Sequence, residues 1–183
     1  SRESILSGVR NRYVKEMEGK EISDDLLPGF ELIKNWNLRA DSLNTSAALS
    51  ILTLPNAFKL ENLKYDRDSI TIKLRENMSY LKKQYGRIDV PLGRVVRLVR
   101  GATSLPLSGG PGTLRAIYSK KSGKNYKAVA GDCYIQAVEW GPEGQLNAWS
   151  IHQYGSSTMD KTSPHFDDQS KYFSKHELKV IRP

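Results

Sequence analysis

The hydrophobic period changes near Gly86, and this change constrains the fold more than any other feature. Before Gly86, apolar residues recur every three or four positions, which is the spacing of one face of an α-helix. After it, short apolar runs are separated by glycine and proline turns, which is typical of strands. The sequence predicts a single α+β domain over residues 1–183, mainly helical over 1–86. Antiparallel strands, loops and a short closing helix are expected over 87–183.

Four helices are predicted in the first half from their apolar stripes. The predicted ranges are 5–19, 30–36, 47–52 and 66–86, with a turn at 26–29 before the second helix. Asn44 or Thr45 is expected to cap the third helix, and Asp66 or Asp68 the fourth, because short polar side chains can accept hydrogen bonds from the first free amides. Pro55 is expected to end the third helix.

Four strands and a final helix are predicted in the second half. The strand ranges are 95–99, 114–118, 128–140 and 146–154, and the helix runs from about 169 to 176. The last two strands form a hairpin, because Gly141-Pro142-Glu143-Gly144 has proline and glycine where a β-turn favours them. The nearly continuous apolar run within 128–140 predicts a strand that is covered on both faces.

The formal charge of +8 raises the question of polyanion binding. Most basic residues have acidic neighbours in sequence and no nucleic-acid-binding motif accompanies them, so we expect no nucleic-acid partner. No apolar run approaches the ~20 residues of a membrane span, and no membrane partner is expected. The tightest basic group is predicted to lie in a solvated loop, with a polyanion or membrane-surface patch as the alternative. Its members are Lys120, Lys121, Lys124 and Lys127.

Four other features of the sequence are candidate sites of chemistry. The glycine-rich stretch 108–112 lacks the Lys-Ser/Thr ending of a phosphate-binding loop, and it is predicted to be an ordinary loop. Cys133, the single cysteine, is predicted to be a small buried residue. His165 with Asp167 or Asp168 is a possible metal site, and Ser156 or Ser157 a possible member of a Ser/His/Asp triad. Hydrogen bonding within a polar loop is the preferred interpretation of these residues.

Five segments, in order, resemble the end of the β-subunit in the penicillin acylase family of N-terminal nucleophile hydrolases, especially its acyl-homoserine lactone and aculeacin acylase branch. They are 36–43 (WNLRADSL) with 47–49, 86–93 (GRIDVPLG), 105–111 (LPLSGGP), 131–140 (GDCYIQAVEW), and 154–157 (YGSS) followed by 163–169 (SPHFDDQ). The last is the most specific. Asn37 stands where the family usually has Asp, and Cys133 where Ser is common.

The residues that we single out as the family motif come from the last two segments. They are Gly131, Asp132, Tyr154, Ser157, Ser163, Pro164, His165, Asp168 and Gln169. We expect them to have structural roles, with Asp168 and Gln169 bonding to backbone groups of the loop that contains them.

The resemblance implies an α/β/β/α enzyme, made by self-cleavage of a precursor, in which the N-terminal serine of the β-subunit attacks an amide carbonyl. Ser1 is not expected to be that serine. It is followed by Arg2-Glu3-Ser4 and a helix, whereas the family has Asn and a buried strand at this point. We therefore expect no catalytic residue, metal or cofactor site in this chain.

Four further expectations follow from the resemblance. The chain would support the central sheets of the enzyme and would be inactive alone. Its partner would be the remainder of the β-subunit and the α-subunit, and the substrate of the whole enzyme would be an N-acylated small molecule. Apolar surface left open would make the isolated chain self-associate. The parent enzyme would be periplasmic or secreted.

Overall fold

The computed structural model describes residues 5–54 and 65–181. The helices are α1 (Ile5–Met17), α2 (Leu27–Lys34), α3 (Ala47–Thr53), α4 (Arg67–Tyr85), α5 (Leu92–Val95) and α6 (Ser170–Lys175). The strands are β1 (Val96–Arg100), β2 (Thr103–Pro106), β3 (Ile117–Ser122), β4 (Asn125–Gly131), β5 (Tyr134–Trp140), β6 (Leu146–His152) and β7 (Lys179–Val180). The predicted α+β class, with helices first and sheets second, is confirmed. None of the described helices is long and apolar enough to cross a bilayer.

The helix caps explain where the predicted helices begin and end. The Asp66 carboxylate accepts a hydrogen bond from the Asp68 amide (3.1 Å), and Gly86 ends α4 at φ 78°. Asn44 Oδ1 accepts from the amides of Ser46 and Ala47 ahead of α3 (2.9 and 3.2 Å). The predicted stop at Pro55 lies outside the described residues.

The predicted turn at 26–29 is correct only at Leu26, because residues 27–29 begin a helix. Pro28 and Gly29 lie in the first turn of α2, which starts at Leu27. Proline is tolerated there because the first amides of a helix have no partner within the helix. Gly29 packs against the Met78 side chain of α4, which leaves no room for a Cβ atom.

The strands form two separate sheets. The four-stranded sheet has the order β2-β1-β4-β3, and the three-stranded sheet the order β5-β6-β7. Most pairs are antiparallel, as predicted, but β1 and β4 are parallel, with Val96 opposite Tyr126 and Arg97 opposite Lys127. The β5–β6 hairpin was predicted correctly, since its turn has the Gly144 amide bonded to the Gly141 carbonyl (3.1 Å).

The single strand predicted over 128–140 is wrong. The chain ends β4 at Gly131, which has φ 134°, and passes through Asp132 and Cys133 into the other sheet. A Cβ atom at position 131 would overlap the carbonyl oxygen of Ala116, to which the Asp132 amide donates (2.9 Å). Only glycine fits this break without strain. Cys133 follows it and is exposed, so the prediction of a buried thiol is also wrong.

The solvated loop predicted for the lysine group is a β-hairpin. Residues 120–127 lie in β3 and β4 and in the two-residue turn at Gly123-Lys124, where Gly123 has φ 60°. The preceding strand was predicted too early, at 114–118, and the side chain of Leu114 is fully exposed. Strands β2 and β7 were not predicted.

The helices and the inner face of the four-stranded sheet share one apolar core. Its largest fully buried side chains are Trp36, Tyr13, Phe173, Leu6, Ile33, Leu49, Leu74, Leu81, Leu92, Leu98, Leu107 and Ile151. Strand β5 is different, because it lies at a sheet edge and most of its residues are exposed. The prediction that this strand is covered on both faces is wrong for the described chain.

The break at Gly131 can be tested by substitution. Gly131→Ala is expected to lower the free energy of unfolding by about 2–4 kcal/mol, because it adds backbone strain and a clash with Ala116. Gly19→Ala is the control, since nothing lies within 4 Å of its Cβ position and its φ is not positive. Urea denaturation of both variants would measure the difference. Equal stabilities would contradict the proposed constraint.

Candidate functional site

The segment from Gly155 to Gln169, called the motif loop here, folds back onto the end of β6. The Ser157 amide donates to the His165 carbonyl (3.0 Å), and the Gln169 amide donates to the Tyr154 carbonyl (2.8 Å). The Gln169 side-chain oxygen accepts from the His152 amide (3.0 Å). Gly155 is required for this closure, because a Cβ there would overlap the His165 carbonyl oxygen and the Asp168 carboxylate. Gln169 therefore bonds to the backbone of β6.

Arg100, at the end of β1, holds the motif loop against the four-stranded sheet. Its guanidinium donates to the carbonyls of Thr158 (2.9 Å), Ser157 (3.3 Å) and Phe166 (3.4 Å). It also lies 4.0 Å from the Phe166 ring centroid and 4.8 Å from that of Tyr154. Such a planar donor can stack and bond at once, which lysine cannot do. No sequence pattern indicated this role, because the bonded carbonyls lie 57 to 66 positions away.

The polar side chains of the motif loop bond mainly to one another and to nearby backbone. His165 Nδ1 lies 3.2 Å from an Asp168 carboxylate oxygen, and the Ser163 hydroxyl accepts from the His165 amide (3.2 Å). The Ser157 hydroxyl donates to the Asp160 carbonyl (3.2 Å), while Asp167 accepts from the Thr103 hydroxyl. The structure thus brings His165 to Asp168, and directs Ser157 and Asp167 elsewhere. Pro164 is exposed within the loop.

These contacts do not assemble either of the chemical alternatives. Within residues 5–54 and 65–181, no group of three or more His, Cys, Asp or Glu side chains could hold a metal ion. The second oxygen of Asp168 is buried and has no hydrogen-bond partner in that same part of the chain. Among the described residues, the Asp168 carboxylate therefore bonds to the His165 ring and, unlike Gln169, to no backbone group.

A second place of interest is a cleft of about 670 Å³ between the helical half and the break after β4. Three non-glycine residues of the described chain have positive φ angles, and all three line this cleft: Leu38 (62°), Arg115 (118°) and His176 (65°). His176 is an ordinary left-handed helix end. Arg115 lies well outside the left-handed helical region, and such strain persists only where the surrounding structure enforces it.

Three of the five motif segments meet at this cleft. The Ser42 amide donates to the Ser108 hydroxyl (2.9 Å), and the Gly109 amide donates to the Ala40 carbonyl (2.7 Å). Asp132 reaches the same cleft from the break after β4. The glycine-rich stretch is therefore a packed loop, as predicted, and its amides bond to protein groups.

Arg115 is the main charged group of the cleft. Its guanidinium donates to the Phe173 carbonyl (2.6 Å) and lies 4.3 Å from the centre of the Phe173 ring. Desolvation lowers the pKa of Arg115, and the Asp132 carboxylate opposes this shift. Desolvation also lowers the pKa of His176, and the charge of Arg115 adds to the effect. The cleft thus contains a desolvated cation that is held in place by α6.

The family model for penicillin amidase matches residues 4–182, which is nearly the whole chain. The chain belongs to the penicillin amidase family. At a coarse level this membership indicates a hydrolase that acts on amide bonds. The predicted membership of this family is therefore confirmed, and the matched residues include both the motif loop and the cleft.

The contacts between Arg100 and the motif loop of this penicillin amidase chain can be tested by substitution. Arg100→Ala is expected to lower the free energy of unfolding by about 2–3 kcal/mol, because three carbonyls and two rings lose a partner. Trypsin should then cut more rapidly at Lys161, which lies in the motif loop. Arg94→Ala is a matched control, because Arg94 is exposed on α5. Equal cleavage rates in the two variants would show that Arg100 does not hold the loop.

Proposed function

We propose that this chain is the C-terminal structural portion of the β-subunit of an amide hydrolase in the penicillin amidase family. The whole enzyme would act on N-acylated substrates of the acyl-homoserine lactone, penicillin or lipopeptide type. The chain alone would be inactive, and the remainder of the enzyme would be its partner. The family's usual route of export favours a periplasmic or secreted parent.

The observation that carries the proposal is an uncovered apolar face on the three-stranded sheet, called the open face here. Side chains alternate between the two faces of a strand, so Tyr134, Val138 and Trp140 lie on the same face of β5. Leu146 lies directly opposite Trp140 on β6. Trp140 is 74% exposed, Leu146 62% and Tyr134 45%. Val138, Trp140 and Leu146 are adjacent on this face, with Ala148 opposite Val138, and apolar surface of this kind is typical of a place where another protein layer packs.

The position of β5 supports the same conclusion. It is an edge strand that pairs with β6, so one row of its amides and carbonyls has no strand partner among the described residues. Soluble proteins usually protect such an edge with charges, proline or a bulge. The seven residues from Tyr134 to Trp140 contain one charge, Glu139, and no proline. An added strand from the remainder of the enzyme would satisfy this edge and extend the sheet.

The motif loop supports a structural role for this portion. Ser157, Ser163 and His165 bond to loop groups, and Arg100 fixes the backbone around them. Such contacts make a rigid support, whereas a nucleophile needs an accessible base. We infer that the attacking serine, its free amino group and the oxyanion donors belong to the remainder of the enzyme. Ser1 lies outside the described residues.

Activity measurements on the purified chain test this division of roles. The chain is expected to release no acid from N-acyl-homoserine lactones or phenylacetylated amines, and Ser1→Ala should leave that result unchanged. A hydrolysis rate above background that Ser1→Ala abolishes would overturn the proposal. A gene that continues upstream with an export signal and an internal Gly-Ser-Asn cleavage point would support it.

The open face predicts that the isolated chain self-associates. Sedimentation is expected to show a concentration-dependent increase in mass, and the double variant Trp140→Ser/Leu146→Ser should shift the chain towards the monomer. Met159→Ser is the control, because Met159 is exposed in the motif loop, away from the open face. An unaltered chain that remains monomeric at high concentration would contradict the prediction.

A further inference from the structure

Three cations lie in register across the outer face of the four-stranded sheet. Lys120 of β3 is directly opposite Lys127 of β4, and Lys127 is paired with Arg97 of β1. Residues paired in this way point to the same face of a sheet, and neighbouring strands are ~4.8 Å apart. The three positions, called the cationic row here, therefore lie within roughly 10 Å of one another.

The row lies on the face away from the core. Its members alternate with inward residues, since Val96 and Leu98 of β1 are buried on either side of Arg97. Lys120 and Lys127 are exposed. On the inner face, Lys121 and Tyr126 pack near Tyr80 of α4, and the Tyr80 and Tyr85 hydroxyls donate to the Lys124 carbonyl (2.8 and 2.5 Å). The hairpin that carries the row is therefore anchored to α4.

The row lacks negative partners within the described chain. The described chain has six ion pairs between charged side chains. None of them includes Arg97, Lys120 or Lys127. The Arg97 guanidinium donates to neutral groups, the carbonyls of Gly93 (2.8 Å) and Ser104 (2.7 Å) and the Ser104 hydroxyl (3.2 Å). Desolvation lowers its pKa. Like charges directly opposite each other destabilise a strand pair, so this arrangement opposes folding locally.

We propose that the cationic row is a docking surface for an anionic phospholipid bilayer. Phosphate groups placed over the row would neutralise charges that the protein leaves unpaired, and the overall charge of +8 would draw the chain towards such a surface. This proposal differs from the expectation, drawn from the sequence, that the chain has no membrane partner. That expectation depended on the lack of an apolar membrane span, whereas the proposal concerns the membrane-surface alternative that the lysine group left open.

The geometry favours a bilayer over a nucleic acid. The row crosses an open, four-stranded sheet face, which presents a broad surface to a plane of headgroups. The lysines are flexible point charges that suit a phosphate in any orientation. Sequence-reading contacts to a nucleic acid would need a helix or a two-stranded ribbon that enters a groove, and here β4 is flanked by both β1 and β3.

Vesicle flotation with the full chain tests the proposal. The chain should bind vesicles of phosphatidylcholine with 30 mole per cent phosphatidylglycerol (about 0.1 M salt) and fail to bind pure phosphatidylcholine. The double variant Lys120→Gln/Lys127→Gln should partition about 25-fold less, at about fivefold for each lysine. Lys15→Gln/Lys20→Gln removes the same charge from the exposed surface of α1 and the turn after it. That control should lose much less binding.

Lys120→Glu separates binding from folding. This variant places a negative charge at position 120 directly opposite Lys127. Because opposite charges across a strand pair are stabilising, the midpoint of thermal unfolding should be unchanged or higher. Vesicle binding should nevertheless be lost. Equal losses in the two double variants would overturn the proposal, because they would show dependence on net charge alone. Unaltered binding by Lys120→Glu would also overturn it. So would preferential binding of duplex DNA over vesicles at equal phosphate concentration.

Discussion

The arrangement of the second half depends on a backbone constraint at Gly131. A φ of 134° and the close approach of the Ala116 carbonyl leave no room for a side chain, and the Asp132 amide bonds to that same carbonyl. The chain therefore leaves the four-stranded sheet here instead of continuing as one long strand. Everything that distinguishes the second sheet, including its open face and the motif loop, follows from that departure.

Two arginines then connect the sheets that Gly131 separates. Arg100, from the end of β1, bonds to the motif loop, and Arg115, just before β3, bonds to the carbonyl of Phe173 in α6. Both guanidiniums stack on aromatic rings, and their bonded carbonyls lie 57 to 66 positions away. Together with the hydrogen bonds from Thr103 to Asp167 and from Ser174 to the Pro106 carbonyl, these long-range bonds fix the second sheet and α6 against the first sheet. The strained backbone at Arg115 persists because this bond holds its side chain, while the Gly110 amide and the Thr113 hydroxyl donate to its carbonyl (3.2 and 2.8 Å).

Local physics explains which parts of the fold could be predicted. The apolar period of α4 and its caps at Asp66 and Gly86 are properties of adjacent residues, and the prediction was correct. The split at Gly131 depends on Ala116, fifteen positions earlier, so the apolar run through it suggested one strand. The lysine hairpin was missed because charge obscured a strand pattern that packing against Tyr80 reveals. In the site, the backbone bond of Gln169 could be predicted from the motif segment that contains it, whereas the long-range contacts of Arg100 and Arg115 could not.

The two partners that we propose for the uncovered faces of this penicillin amidase chain differ in their chemistry. On the open face, Trp140 and Leu146 would gain about 25 cal/mol for each Å² of apolar surface removed from water, so a protein layer suits that face. The same layer placed over the cationic row would strip water from the exposed Lys120 and Lys127 without returning negative charge, at a cost of several kcal/mol for each ion. One apolar surface therefore cannot cover both faces. The row can keep its solvent while it binds phosphate, whereas the open face is stabilised only when water is excluded.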